Sequence, residues 1–298
     1  LHNLCAAWRL RGPLDVAALQ RALQQLTERH EALRTVIRLR DAEPRQQVLA
    51  PAPFVLPVEG APDGGEEALR ARIAERSRMP FALADAPLFR AELHRLQPQE
   101  HVLALYLHHL VSDGWSFGLL LRDLAALYAA ATGRAASLPS APALRYVDYA
   151  CWSRAQAEGG RAIDAPFWRE LLQPLPPIAR LLPDTPARGR WGPADPNLRP
   201  DNESTAGAVE LRQLPVSLAA LQSWCAEHGA TPFGLLAGLV ALLLWRCGGA
   251  PDLRLGLPAA GRSRPELEGI VGFFANTLVL PLQAQPQQAF GDWLAALQ

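Results

Sequence analysis

The sequence predicts an α/β protein, an α+β sandwich built in two parts. Three observations predict it. Apolar runs that alternate every second residue, such as Val102 to Leu107, are interspersed with stretches of helical spacing, such as Val16 to Leu26. A segment rich in Pro, Gly, Asp and Asn, from about Pro174 to Gly207, separates two patterned regions. The chain has 298 residues, 49% of them hydrophobic, enough for one large domain or two lobes with cores of their own. The expected division is a first lobe over 1–174, a linker over 175–207 and a second lobe over 208–298.

The elements follow in order. Ala7 to Leu10 reads as a strand ended by Gly12-Pro13. Asp15 is placed to cap a helix whose apolar positions are Val16, Leu19, Leu23 and Leu26. A strand over Val36 to Leu39, a strand pair around Gln47 to Val58 and a polar helix over Glu66 to Arg76 come next. Leu88 to Leu96 and His101 to His108 read as strands joined by a turn at Gln97 to Glu100. Ser116 is placed to cap a helix over Phe117 to Ala130, and Tyr146 to Glu170 is an aromatic-rich helix. Beyond the linker, a strand over Ala208 to Leu211 precedes a helix from Ser217 to His228 with Gly229 after it. Thr231 caps the next helix and Pro232 takes its first position. Its stretch Phe233 to Trp245 is apolar all round, too short to span a bilayer, and reads as a buried core helix. Strands are expected at Leu253 to Leu257 and at Gly272 to Leu282.

Composition excludes several classes. The 29 basic and 29 acidic side chains balance, so neither nucleic acid nor an anionic membrane is an expected partner. Cys5, Cys151, Cys225 and Cys247 are far apart and read as buried, reduced thiols of a cytoplasmic protein, with no disulfide and no metal site. There is no GxSxG, P-loop or GxGxxG. The start, Leu1-His2-Asn3-Leu4, lacks a Met and any signal-peptide pattern, and reads as a cut through a longer chain.

The chemistry concentrates in His108-His109-Leu110-Val111-Ser112-Asp113-Gly114, which reads HHxxxDG at the end of a strand and before a helix. Strand alternation puts His109 on the face of Leu103, Leu105 and Leu107, and His108 on the other, so the pair cannot ligate one metal. His109 is the candidate base or hydrogen-bond donor, and His108 reads as structural. Asp113 reads as structural too, bonding the loop backbone or pairing with an arginine. Gly114 allows positive φ and leaves room for a bulky substrate. Trp115 reads first as a packing anchor. No protein nucleophile stands beside His109, which fits direct transfer between two bound substrates.

With these residues in view, the chain resembles the condensation domains of nonribosomal peptide synthetases, in the chloramphenicol-acetyltransferase-like superfamily. Five segments carry the resemblance: Arg29-His30-Glu31-Ala32-Leu33-Arg34-Thr35 (RHExLRT), His108 to Ser116, Tyr146 to Trp152 (YxDYAxW), Gly261 to Leu267 (GRxRPEL) and Val271 to Thr277 (GFFxNT). It implies two similar lobes, each a mixed sheet with flanking helices, around a central tunnel. Upstream and downstream peptidyl carrier proteins would deliver thioesters on phosphopantetheine arms, with an adenylation domain as neighbour and no cofactor bound directly. The implied activity is acyl transfer that forms an amide at His109. Asp113 would pair with Arg34 and hold the loop, and Ser112, Trp115 and Asn276 would line the tunnel. The wording of the motifs is most similar to the type that joins an L-donor to an L-acceptor. The family's first segment and the end of its second lobe are missing from this sequence. An ester-forming acyltransferase, an epimerisation-type member and a non-catalytic recruiting member are the alternatives.

Overall fold

The computed structural model describes residues 2–85, 87–134, 137–138, 140–141, 143–173, 215–248, 251–283 and 287–296. Two compact units emerge: Leu1–Arg161 with Ala260–Asn276, and Ala162–Ala259 with Thr277–Gln298. The segment 260–276, expected in the second lobe, therefore belongs to the first unit. The expected linker over 175–207 and the strand at 208–211 lie outside the described residues.

The first unit is built on a four-stranded sheet in the order β1-β6-β5-β4. β1 (Asn3–Arg11), β6 (Glu100–His108) and β5 (Phe89–Gln97) are antiparallel, and β4 (Val58–Gly60) runs parallel to β5. The sheet is thus mixed. β2 (Thr35–Arg40) and β3 (Glu43–Val48) form a separate hairpin through Asp41 and Ala42, both at positive φ. The strand pair expected around Gln47 to Val58 is therefore not one: the tight turn folds β3 back on β2, and β4 joins the main sheet.

One face of the sheet carries Leu103, Leu105 and Leu107 of β6 opposite Leu93, Ala91 and Phe89 of β5. α1 (Val16–Arg29) and α3 (Gly114–Ala131) cover it, contributing Leu19, Leu23 and Leu26, and Leu119, Leu120, Leu124 and Leu127. Asp15 caps α1 as expected, accepting from the Ala18 amide at 2.9 Å. The end of α1 is tied to the middle of α3 by charge. Asp123 of α3, fully buried, accepts from Arg29 Nε at 2.8 Å and His30 Nε2 at 3.0 Å. Burial alone would raise this carboxyl. The bonds from His30, Arg29 and Arg122 outweigh it and hold the group well below the usual carboxylate range. Arg29 and His30 of the RHExLRT segment thus serve the core. A short 3-10 turn, Glu31–Arg34, follows them.

The other face is polar and is covered by α2 (Gly65–Arg78). The last carbonyls of this helix are satisfied from the sheet: Asn3 donates to Ser77 and Met79, and Arg90 to Arg76 and Met79. His94 lies fully buried here, 3.6 Å from Glu92 and 3.9 Å from Glu59. Burial pushes His94 down despite those two carboxylates, and it pushes His101 and His108 down as well.

α4 (Tyr146–Leu171) leads out of the first unit. The second contains α5 (Leu218–Glu227), α6 (Pro232–Gly248), the β7 (Asp252–Ala259) and β8 (Asn276–Gln283) pair, and α7 (Phe290–Ala296). Thr231 caps α6 through the Gly234 amide, and Gly229 takes positive φ after α5, both as expected. α6 itself is not a fully buried helix. Leu235, Ala237 and Ala241 are covered, but Phe233 is 60% and Leu243 56% exposed. An apolar periphery on every side of a helix does not say how many sides are packed. Of the four cysteines, all free, only Cys225 is buried. β1 is an edge strand and leaves Cys5 uncovered. Among the described residues no single helix is long and apolar enough to cross a membrane.

The three depressed histidines set an acid limit on stability. Their folded values lie below the ordinary value of about 6.5, so the unfolded chain binds more protons as the pH falls through that value. The melting temperature is expected to drop between about pH 7.5 and about pH 5.5. His94→Leu should flatten part of that slope, and a melting temperature unchanged across the window would contradict the reading.

Candidate functional site

The HHxxxDG segment forms the turn between β6 and α3. β6 ends at His108, so His109 stands one residue past the strand and the alternation argument does not reach it. Its position comes from the turn instead. The His109 amide donates to the His2 carbonyl at 2.7 Å, and the ring Nδ1 lies 2.8 Å from the Ser112 carbonyl. A carbonyl can only accept, so Nδ1 carries the proton and the neutral ring keeps its lone pair on Nε2. His108 is set the opposite way: its Nδ1 accepts from the Leu110 amide at 3.1 Å, and its ring lies edge-on to Phe81. The two adjacent imidazoles differ in both place and tautomer.

Asp113 is the N-cap of α3, at φ −131°. The helix therefore starts at Gly114, three residues before the expected start, and Ser116 is the third residue of a capping box rather than the cap. Asp113 Oδ1 accepts from the Ser116 amide at 2.9 Å and the Ser116 hydroxyl at 2.8 Å. Gly114 has no positive φ; it is the first helical residue, and a Cβ added there would meet nothing within 4 Å. The open space in front of it is real, and the left-handed backbone is not.

The charge partner of Asp113 is Arg262 of the GRxRPEL segment. Arg262 Nη2 lies 3.1 Å from Oδ2 and 3.2 Å from Oδ1, with side chains 2% and 5% exposed. The Phe274 amide donates to Oδ2 at 3.2 Å. This corrects the expected pairing with Arg34, which instead bonds the Leu49 carbonyl and faces Glu31 at 3.6 Å, at the base of the β2–β3 hairpin. Arg34 sits within two residues of a strand that pairs elsewhere, and cannot serve both places. Arg262 Nη1 donates to the Leu267 and Ile270 carbonyls at 2.6 and 2.7 Å, and its guanidinium lies 4.0 Å from the Phe274 ring centre. Burial lowers this guanidinium from its ordinary value, against the pull of Asp113.

The segment is tied down further. The Ser116 hydroxyl oxygen accepts from the Gly272 amide at 3.2 Å, and its proton is shared between Asp113 and the Gly272 carbonyl. Trp115 donates from its indole to the Glu268 carbonyl at 2.9 Å, as an anchor. Tyr146 donates its hydroxyl to the Phe273 carbonyl at 2.7 Å and packs edge-on against Phe274. A Cβ on Gly272 would overlap the Tyr146 ring, and one on Gly261, at φ +66°, would overlap the Phe274 carbonyl. The apolar run from Gly272 is therefore strand only from Asn276, the first residue of β8, whose side chain is exposed. Ser112 is completely buried, so it lines no accessible surface and contributes its carbonyl to His109. Sequence reasoning named Ser116 as a cap and held Arg262, Gly272 and Phe273 only within their motifs, giving none of the four a part in the site. The adjacent Gly261-Arg262 was the available signal, a bulky charge beside a residue that permits close backbone approach.

A family model described as Condensation domain matches residues 2–298. The chain belongs to the condensation domain family. Phosphinothricin tripeptide synthetase PhsC of Streptomyces viridochromogenes is 39% identical to this condensation domain over all of it, and malpibaldin synthetase of Mortierella alpina is 35% identical over 96% of it. The domain spans 27% and 5% of those two relatives. Among solved structures, the X-domain from teicoplanin biosynthesis matches 99% of the domain with a TM-score of 0.80 and 34% identity. The first condensation domain of the calcium-dependent antibiotic synthetase matches with 0.78 and 25%. The domain covers 64% and 68% of those chains, and its fold is the chloramphenicol-acetyltransferase-like one.

Two results are expected from this geometry. Asp113→Ala and Arg262→Ala each strand a buried charge and should cost about 3 kcal/mol or more in urea unfolding. The double variant should cost well under the sum of the two; additive costs would show that the pair is not coupled. Gly272→Ala should prevent a native fold, whereas Gly114→Ala should leave the melting temperature unchanged or slightly raised, as a helical Gly→Ala does.

Proposed function

We propose that this domain forms amide bonds in nonribosomal peptide synthesis, transferring an aminoacyl or peptidyl group from an upstream carrier to the amine of a downstream carrier-bound aminoacyl group. The observation that supports it most is the freed Nε2 of His109, on a half-buried ring in the turn that leads to Gly114. In the proposed step the acceptor nitrogen attacks the donor thioester carbonyl. A C–N bond forms, the C–S bond breaks, and the proton lost by nitrogen passes by way of Nε2 to the departing thiolate. His109 acts as general base, or holds the amine and steadies the charged tetrahedral intermediate. A free α-amino group has a pKa of about 8, so part of it is already neutral near pH 7. The substrates would arrive on phosphopantetheine arms. Asp113 and Arg262 hold the turn, and Trp115 and Asn276 are assigned to the walls of the reaction space.

The likeness to the X-domain, which is also known in complex with OxyB, supports a second reading in which the fold seats a partner protein. One assay separates them. The domain is supplied with two carriers, one loaded as donor and one as acceptor, and dipeptidyl product is followed by intact-mass analysis. His109→Ala should lower the yield by about 100-fold or more. Equal yield from the variant would remove His109 from the reaction, and no product above a control without the domain would leave the partner-seating reading standing.

A further inference from the structure

We infer that Phe273 is the positioning residue for the His109 imidazole, holding its plane so that Nε2 addresses a single line of approach. This rests on the amide-forming reading for its functional consequence, but not for its geometry. The ring centres are 4.9 Å apart and the planes meet at 78°, an edge-to-face contact of favourable form. Neither ring can reach this contact by chance drift of the backbone. On one side of Phe273, Gly272 is pressed beneath the Tyr146 ring and bonded to Ser116. On the other, the Phe274 amide is bonded to Asp113 and the Phe274 ring is buried. The Phe273 carbonyl itself takes the Tyr146 hydroxyl. With its backbone held by these bonds, residue 273 is the one position between Val271 and Phe274 whose side chain faces outward, 37% exposed, alongside the histidine.

The imidazole needs such a neighbour. Among the described residues its ring has one polar anchor, the Nδ1–H bond to Ser112, and a single hydrogen bond is easily broken when the ring turns about Cβ–Cγ, which frees both nitrogens to carry the proton. A second contact through a wide apolar surface removes the swing without engaging Nε2. The buried pair Asp113–Arg262 thus reaches the reacting nitrogen through Phe273 as well as through the turn. A displacement of about 1 Å at a reacting group costs on the order of 100-fold in rate, so the contact has leverage on turnover with little on substrate affinity.

The test uses the whole 298-residue chain with 15N-labelled histidine. In the wild type, the His109 ring should show one tautomer, protonated at Nδ1. Phe273→Ala should give averaged ring signals from both tautomers, Phe273→Leu an intermediate result, and Phe273→Trp should restore the single form. The carrier assay adds a second readout: kcat should fall about tenfold or more in Phe273→Ala with KM for the acceptor carrier near the wild-type value. A single Nδ1–H tautomer in both Phe273→Ala and Phe273→Leu overturns the inference. So does an unchanged kcat in an active preparation of either. Should the wild-type chain make no amide at all, the functional reading fails, and the ring spectra still decide what Phe273 does.

Discussion

Everything near His109 depends on one buried ion pair. Asp113 and Arg262 are 149 positions apart in the chain, and neither charge is reachable by water to any useful extent. Such a pair is tolerable only when the remaining lone pairs and protons are also satisfied. Here most of them are: the carboxylate takes two bonds from Ser116 and one from the Phe274 amide, and the guanidinium donates to the Leu267 and Ile270 carbonyls, its Nε alone being buried without a partner. The pair therefore does not merely bridge two segments. It forces the α3 cap, the 3-10 turn at Pro265–Leu267 and the Phe273 backbone into one arrangement, and the histidine turn sits directly before the cap.

That arrangement gives a physical meaning to motifs that look unrelated along the chain. The RHExLRT residues Arg29 and His30 fix the end of α1 to α3 through Asp123, far from the reacting group in role. The YxDYAxW aromatics form the floor for Leu267, Ile270 and Phe274. The glycines of the late segments are spacers whose missing side chains let rings and carbonyls close in. The last three of the five segments therefore support a turn contributed by the second, and only one imidazole of that turn has a free basic nitrogen.

What the sequence made legible divides along the same physical line. Local patterns were readable: the caps at Asp15 and Thr231, the β5 and β6 alternation and the length of α4 all follow from spacing within a dozen residues. Long-range charge pairing was not. Nothing in the spacing of Asp113 tells Arg34 from Arg262, and the choice depends on which backbone returns to the sheet. The run from Gly272 was read as strand because a continuous apolar stretch looks alike whether its backbone is paired in a ladder or its side chains alone are buried. The outward face of α6 failed for a related reason: composition reports how apolar a helix is, and contacts report how much of it is covered.

The return of 260–276 to the first unit has a consequence for biosynthesis. A chain emerges from the ribosome in order, and domains generally fold as they emerge. The first sheet and its two covering helices can collapse early, yet the cap residue before α3 then has no cation within reach until some 150 further residues have been made. Until that segment arrives the acid lacks the backbone that covers it, so the completed turn is a late event of maturation rather than the nucleus of it.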